Sequence, residues 1–203
     1  STTLAVVEKN LYRAADLVQS FKRISVDRQT EETREINFRH YLEDIMVSLG
    51  PRWQGRSYRI EGDPGLVVFT HPGAWSQIVG NLVINSIVHG FHELPESQDC
   101  LIHISHEVKE GQLVVAYRDN GRGVAPENEG KIFDPFFTTA RSRGGTGLGL
   151  PIVFNLVSAQ LGGTIHYFRP AEGGFGMVIS QPLKSARIGE PQSPSSLSGT
   201  ADS

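Results

Sequence analysis

The chain has 203 residues, 38% of them hydrophobic and 20% charged, and a formal net charge of −3 at neutral pH. That length holds one ordinary domain with an appendage. The slightly acidic balance gives no electrostatic case for nucleic-acid binding, and no stretch nears the ~18 apolar residues of a membrane span. The one cysteine, Cys100, excludes an intramolecular disulfide and suits a reducing compartment.

The chain begins Ser1-Thr2-Thr3 without methionine, which reads as a piece of something longer. Residues 3–28 predict one long helix. Leu4, Val7, Leu11, Ala14, Val18 and Phe21 keep a three-four spacing, widened by Leu17 and Ile24. This is the seam of a coiled coil or bundle, whose partner is a missing segment or another chain, or else the face of a helix packed on its own domain. Polar residues 29–35 read as a linker. A second helix is predicted from Asn37, its cap, to Leu49, with Gly50-Pro51 as the stop. Strands follow near Ser57–Glu61 and Leu66–Thr70, then a helix from Gly73 to His89. Strands at Leu101–Val108 and Gln112–Arg118 flank the turn Lys109-Glu110-Gly111. A glycine-rich stretch leads into a helix beginning at Pro151. Gly163–Arg169 and Phe175–Gln181 read as a further hairpin. From Ser185 the Ser-, Pro- and Gly-rich tail is expected to be disordered. The order predicts an α+β domain of two layers, a mixed sheet with helices on one face.

Four segments carry chemistry. On the Gly73–His89 helix, Asn81, Asn85 and His89 are four apart and share one face, beside an apolar face of Trp75, Ile78, Val79 and Leu82. Neutral amide oxygens suit Mg²⁺ when phosphates supply the negative charge; a merely solvated face fits the same residues. Asp119-Asn120-Gly121-Arg122-Gly123 follows a strand, and its carboxylate can only accept, so it suits an amine donor such as adenine N6. The same residues also make a plain turn. Phe133-Asp134-Pro135-Phe136-Phe137-Thr138-Thr139, followed by Ala140-Arg141, reads as an apolar hook on a mobile lid, or as a loop tucked onto the core. Gly144-Gly145-Thr146-Gly147-Leu148-Gly149 cannot be helix interior. Feeding a helix start, it exposes backbone N–H groups to phosphate oxygens. It is not a Walker A loop, since no Gly-Lys-Ser or Gly-Lys-Thr follows.

In this order the segments resemble the N, G1, F and G2 boxes of the catalytic, ATP-binding domain of bacterial two-component sensor histidine kinases, in the GHKL superfamily. The resemblance covers about residues 37–183. It implies a Bergerat-type α/β sandwich at 35–184, preceded at 1–34 by the second helix of a dimerisation and phosphotransfer hairpin and its linker, and followed by a tail at 185–203. It implies ATP and Mg²⁺ as ligands. Asp119 would accept the adenine amine, with Gly121 and Gly123 making room for the base. Asn85 would hold Mg²⁺, with Asn81 and His89 beside the nucleotide. Gly145, Thr146, Gly147, Leu148 and Gly149 would meet the phosphates. Phe133 and Phe136 would anchor the lid, with Arg141 near the phosphates. The expected partners are a response-regulator receiver domain and a second copy, joined through Leu4, Val7, Leu11, Val18 and Phe21. The domain is expected in the cytoplasm, whether or not its parent carries a membrane anchor.

Two departures stand out. The family's lysine near the end of the N box is Val88 here, which removes one phosphate contact. No histidine matches the phosphoacceptor: His40 precedes Tyr41 in the second helix, and His106-Glu107 lies on a strand. The nucleophile is therefore expected upstream of Ser1, and this chain alone is expected to bind ATP without phosphorylating itself. The rivals are a hydrolytic GHKL ATPase, a serine/threonine kinase of the superfamily and a degenerate interaction module. The ATPase would carry a general-base glutamate where this chain has Asn81.

Overall fold

The computed structural model describes residues 32–50, 56–92, 94, 99–141 and 145–188. The helix expected at 3–28 lies outside these residues. So do the end of the tail and the stop at Pro51.

Two sheets form. The larger has the order β2-β4-β5-β7-β6, from β2 (Ser57–Glu61), β4 (Leu101–Lys109), β5 (Gln112–Asp119), β7 (Gly176–Pro182) and β6 (Thr164–Phe168). Only the β2–β4 pair is parallel, so the sheet is mixed. The smaller sheet sets β3 (Leu66–Thr70) between β1 (Arg34–Asn37) and β8 (Ala186–Ile188), antiparallel to both. Two sequence expectations are corrected here. The linker of 29–35 ends in strand β1, and the tail from 185 begins with strand β8. Both strands are short and mostly exposed, and the partner that orders them is apolar β3. Local polarity alone could not reveal that partner.

One face of the large sheet is core. Ile102, Ile104 and His106 on β4, Leu113, Val115, Tyr117 and Asp119 on β5, and Met177, Ile179 and Gln181 on β7 are all buried. This is the two-residue alternation of a sheet covered on one side. The cover comes from helices α1 (Phe38–Ser48), α2 (Pro72–Asn85) and α3 (Gly149–Asn155). In α1 the buried positions are Phe38, Leu42, Ile45 and Met46, a helical stripe. Asn37 caps it as expected, accepting from the His40 N–H at 2.9 Å, while its amide donates to Pro64 O at 2.7 Å.

Helix α2 starts with Pro72 in its first turn, where a missing N–H costs nothing. Trp75 is fully buried, and its indole N–H donates to Gln181 Oε1 (3.0 Å) and Thr70 Oγ1 (3.1 Å). Thr70 in turn donates to Gln181 at 2.8 Å. This buried triad ties α2 to both sheets. Helices α2 and α3 do not end as plain α-helices: Ser86–Gly90 and Leu156–Gln160 are π turns. In the first, the Phe91 N–H reaches Ser86 O at 2.7 Å. Among the described residues, no helix is long and apolar enough to cross a membrane.

Candidate functional site

A cavity of about 970 Å³ opens between α2, the end of β5, the loop after it and the start of α3. Its lining brings together segments distant in sequence. Asn81, Asn85 and His89 come from α2 and its π turn. Asp119 and Gly123 come from the end of β5 and its loop, Thr138 and Thr139 from the phenylalanine-rich loop, and Gly145 to Leu150 from the glycine stretch.

Asp119 is the fixed point. It is the last residue of β5, only 4% exposed. Its Oδ1 accepts from the backbone N–H groups of Gly121 (2.9 Å) and Phe175 (3.2 Å). Its Oδ2 accepts from the Ser86 hydroxyl, which also lies 2.8 Å from the Tyr117 hydroxyl. Burial raises the carboxyl above the usual range, and the donors from Ser86, Gly121 and Phe175 pull it back. Burial likewise raises the Tyr117 phenol well above its ordinary value, and the neighbouring Asp119 adds to the rise. Glycines make this crowding feasible. A Cβ on Gly121 would sit 2.7 Å from the Gly90 backbone, and one on Gly174 would overlap the Asp119 carbonyl oxygen.

The helix face is polar where it meets the cavity. The Asn81 amide donates back to Gln77 O at 2.9 Å. The Asn85 amide lies over the start of α3, where a Cβ on Gly149 would come within 3.1 Å of its Oδ1. The π turn skews the four-residue spacing at its end, yet His89 still lines the cavity, with Nδ1 3.1 Å from Thr139 Oγ1. Among the described residues, no three His, Cys, Asp or Glu side chains gather for a metal. Asn85 offers a neutral amide oxygen, so a divalent cation beside it would need further oxygen ligands.

The loops differ from expectation in detail. Gly145 and Gly147 lie on the cavity, but their missing side chains are explained first by the phenylalanine-rich loop. A Cβ on Gly145 would meet Thr138 Oγ1 at 2.5 Å, and one on Gly147 would meet Phe137 O at 2.7 Å. The Phe136 N–H donates to Gly147 O at 2.9 Å. Phe133 packs on Phe154, ring centres 5.6 Å apart, away from the cavity lining. Phe136 is 50% exposed, with φ 67°, and like Phe133 it lies outside the cavity lining. Arg141 donates to Phe136 O at 3.1 Å and lies outside the lining, as does Gly121.

Residues 70–185 match the family described as histidine kinase-, DNA gyrase B- and HSP90-like ATPase. The chain belongs to this family. Among curated relatives, the sensor-like histidine kinase SenX3 of Mycolicibacterium smegmatis is 35% identical over 129 residues, 62% of this chain and 30% of its own length. The sensor kinase CckA of Brucella abortus is 28% identical over 172 residues, 79% of this chain and 18% of its own. The chain thus spans less than a third of these relatives. Full-length ShkA in complex with AMPPNP shares the fold, with a TM-score of 0.70 at 22% identity over 94% of this chain and 39% of that one. The chain carries the ATP-binding catalytic domain of a sensor histidine kinase.

Within this ATPase fold, several residues of the site escaped the sequence reading: Ser86, Gly90, Tyr117, Thr139, Gly174 and Phe175. Three left a signal. Tyr117 shares the buried face of β5 with Asp119 by the two-residue period, and Ser86 and Gly90 repeat the four-residue spacing of Asn85 and His89 one position on.

Proposed function

We propose that this domain binds Mg·ATP and moves its γ-phosphoryl to a histidine on a helical hairpin, from which an aspartate of a response-regulator receiver domain takes it. The observation that carries the reading is a buried carboxylate, held on three sides by donors, facing a cavity that asparagines and a glycine stretch share. Asp119 would accept the adenine amine. Asn85 would hold Mg²⁺ through its amide oxygen, with Asn81 beside the phosphates. Gly145 to Gly149 would turn backbone N–H groups toward the phosphate oxygens. Mg²⁺ would supply neutralisation of charge on the phosphates. In the transfer, a histidine nitrogen bonds to the γ-phosphorus, the bond to the β–γ bridging oxygen breaks, and that oxygen leaves with ADP. The chain's own part is to position the nucleotide and exclude water.

The hydrolytic alternative is disfavoured because Asn81 offers an amide, already bonded to Gln77 O, where a general-base carboxylate is needed. We assign the apolar stripe Leu4, Val7, Leu11, Val18 and Phe21 to pairing with a second copy, and the nucleophilic histidine to a segment outside this sequence. Calorimetric titration with a non-hydrolysable ATP analogue tests the pocket. Binding is expected for the ATP analogue and not for a GTP analogue. Asp119→Ala should abolish it, and Asn85→Ala should remove its Mg²⁺ dependence. Absence of nucleotide binding by the unmodified chain overturns the reading in favour of an interaction module.

A further inference from the structure

We propose that Tyr117 is a positioning residue: its buried hydroxyl fixes the direction of the Tyr117–Ser86–Asp119 chain, so that the cavity presents an acceptor and selects a base that donates an amine. The argument is an accounting of protons. Ser86 Oγ carries one hydrogen and has two neighbours, the Tyr117 hydroxyl and Asp119 Oδ2. Two directions are conceivable. In one, Tyr117 donates to Ser86 and Ser86 donates to an ionised Asp119. In the other, a protonated Asp119 donates to Ser86 and Ser86 donates to Tyr117. The second direction obliges the Tyr117 hydrogen to find another acceptor. Tyr117 is 1% exposed, and among the described residues Ser86 is the one hydrogen-bond partner of its hydroxyl. A buried O–H left unpaired is costly, so the first direction holds.

The remaining lone pairs then define the ligand. Oδ1 is filled by the Gly121 and Phe175 N–H groups. Oδ2 takes the Ser86 proton and keeps one lone pair. Open space beside it is preserved by Gly90, whose Cβ would otherwise stand 3.3 Å away. A group arriving there must donate. An exocyclic amine does so; a ring carbonyl at the same place is repelled. Burial raises the Asp119 carboxyl and the Ser86 donor opposes the rise, so weakening the chain brings the carboxyl closer to protonation, which would admit a carbonyl. Other titratable or charged groups facing the cavity are His89 on the helix side, Arg122 on the loop after β5 and Arg169 at the end of β6. Asp119 is the single carboxylate among the described lining residues.

This inference deepens the adenine-nucleotide reading and rests on it for the identity of the base. The test therefore has two arms on the full chain. The first needs no nucleotide. A carbon-13 NMR titration follows the Asp119 carboxyl directly, separately from His89, in the unmodified chain, Tyr117→Phe and Ser86→Ala. The carboxyl is expected to titrate at higher pH in both variants, further in Ser86→Ala. An unmoved titration in both overturns the proposal, whatever binds. The second arm compares ATP with inosine triphosphate, which has a carbonyl where adenine has its amine. Tyr117→Phe is expected to lose about tenfold of the preference for ATP. A purely structural role for Tyr117 would weaken both nucleotides equally, which overturns the proposal. Asp119→Asn is isosteric, and its amide oxygen is held at the Oδ1 place by the two backbone donors. Its NH₂ then faces the cavity, and the preference should reverse toward inosine. An Asp119→Asn variant that still prefers ATP also overturns the proposal. Movement of the carboxyl with no binding of either nucleotide by the unmodified chain overturns the adenine reading and upholds the relay.

Discussion

The two ends of the cavity are built on different terms. At the sheet end, Asp119 is 4% exposed, its oxygens accept from three donors, and Gly90, Gly121 and Gly174 are packed backbone to backbone around it. At the loop end, Phe136 is half exposed, Arg141 bonds back to its own loop, and His89 Nδ1 lies 3.1 Å from Thr139 Oγ1. The sheet end resists rearrangement because moving any member orphans a buried polar group. The loop end can rearrange at little cost, because water replaces the contacts it gives up. Under the proposed function, a site made this way would read one part of its ligand strictly and fold around the rest.

The largest effect should separate the two ends. Gly174 has φ 92°, and a Cβ there would overlap the Asp119 carbonyl oxygen, whereas neighbouring Gly173, at φ 89°, has open space. Gly174→Ala should therefore cost about 3 kcal/mol or more, lowering Tm by roughly 10 °C. Gly173→Ala should cost only about 1 kcal/mol for its backbone conformation. Equal melting temperatures for the two variants would remove the claim of a rigid sheet end.

Next comes a pH effect that must be told apart from the cavity. His106 is 4% exposed, stacks edge-on with Phe38, and has no hydrogen-bond partner among the described residues for either ring nitrogen. Burial, helped by Arg39, lowers it from 6.5 to about 4. The unfolded chain takes up this proton first as pH falls. The stability is therefore complete above about pH 6.5 and is lost on the way down to about pH 4. The loss is roughly 2 kcal/mol by pH 5 and approaches 3 kcal/mol below pH 4. Asp119 acts in the opposite sense: a raised carboxyl costs stability at neutral pH, and the cost is relieved on acidification. Denaturant unfolding at pH 7 and pH 5 should show the loss in the unmodified chain and a flatter profile in His106→Leu.

The loop end should give the smallest changes. Thr139→Val removes the link to His89 and should cost under about 1 kcal/mol, with a few-fold weaker nucleotide affinity measured calorimetrically. Phe136→Gly should leave Tm nearly unchanged, because relief of the left-handed backbone offsets the loss of a half-exposed ring. A fall of several degrees would mean that this loop is as tightly built as the sheet end.

What could be read from the sequence followed from local rules. The Asn37 cap, the polar face of Asn81 and Asn85 on an apolar helix, and the placing of Asp119 at a strand end all depend on residues within a few positions of one another. The relay through Ser86 and Tyr117 depends on a helix meeting a strand, and no spacing encodes that. β1 and β8 are four and three residues long, below what periodicity resolves, and exist because β3 offers them two free edges. Three phenylalanines in five residues fit either a lid hook or a loop tucked onto the core, and spacing does not show that Phe136, with φ 67°, stands half exposed. Gly145 and Gly147 line the cavity, but their crowding partner is the phenylalanine-rich loop, which only the folded chain brings near.

The small sheet carries a mechanical consequence. β1 and β8 both pair with β3, and the Glu35–Arg187 ion pair at 2.8 Å bridges them. Arg34 stands opposite Thr70, at one end of β3, and Ile188 opposite Leu66, at the other. Tension applied at Arg34 and Ile188 therefore runs along both ladders in shear, loading their hydrogen bonds together instead of peeling them one at a time. A pull on either of these two ends is therefore borne first by β3, the strand that both ladders share.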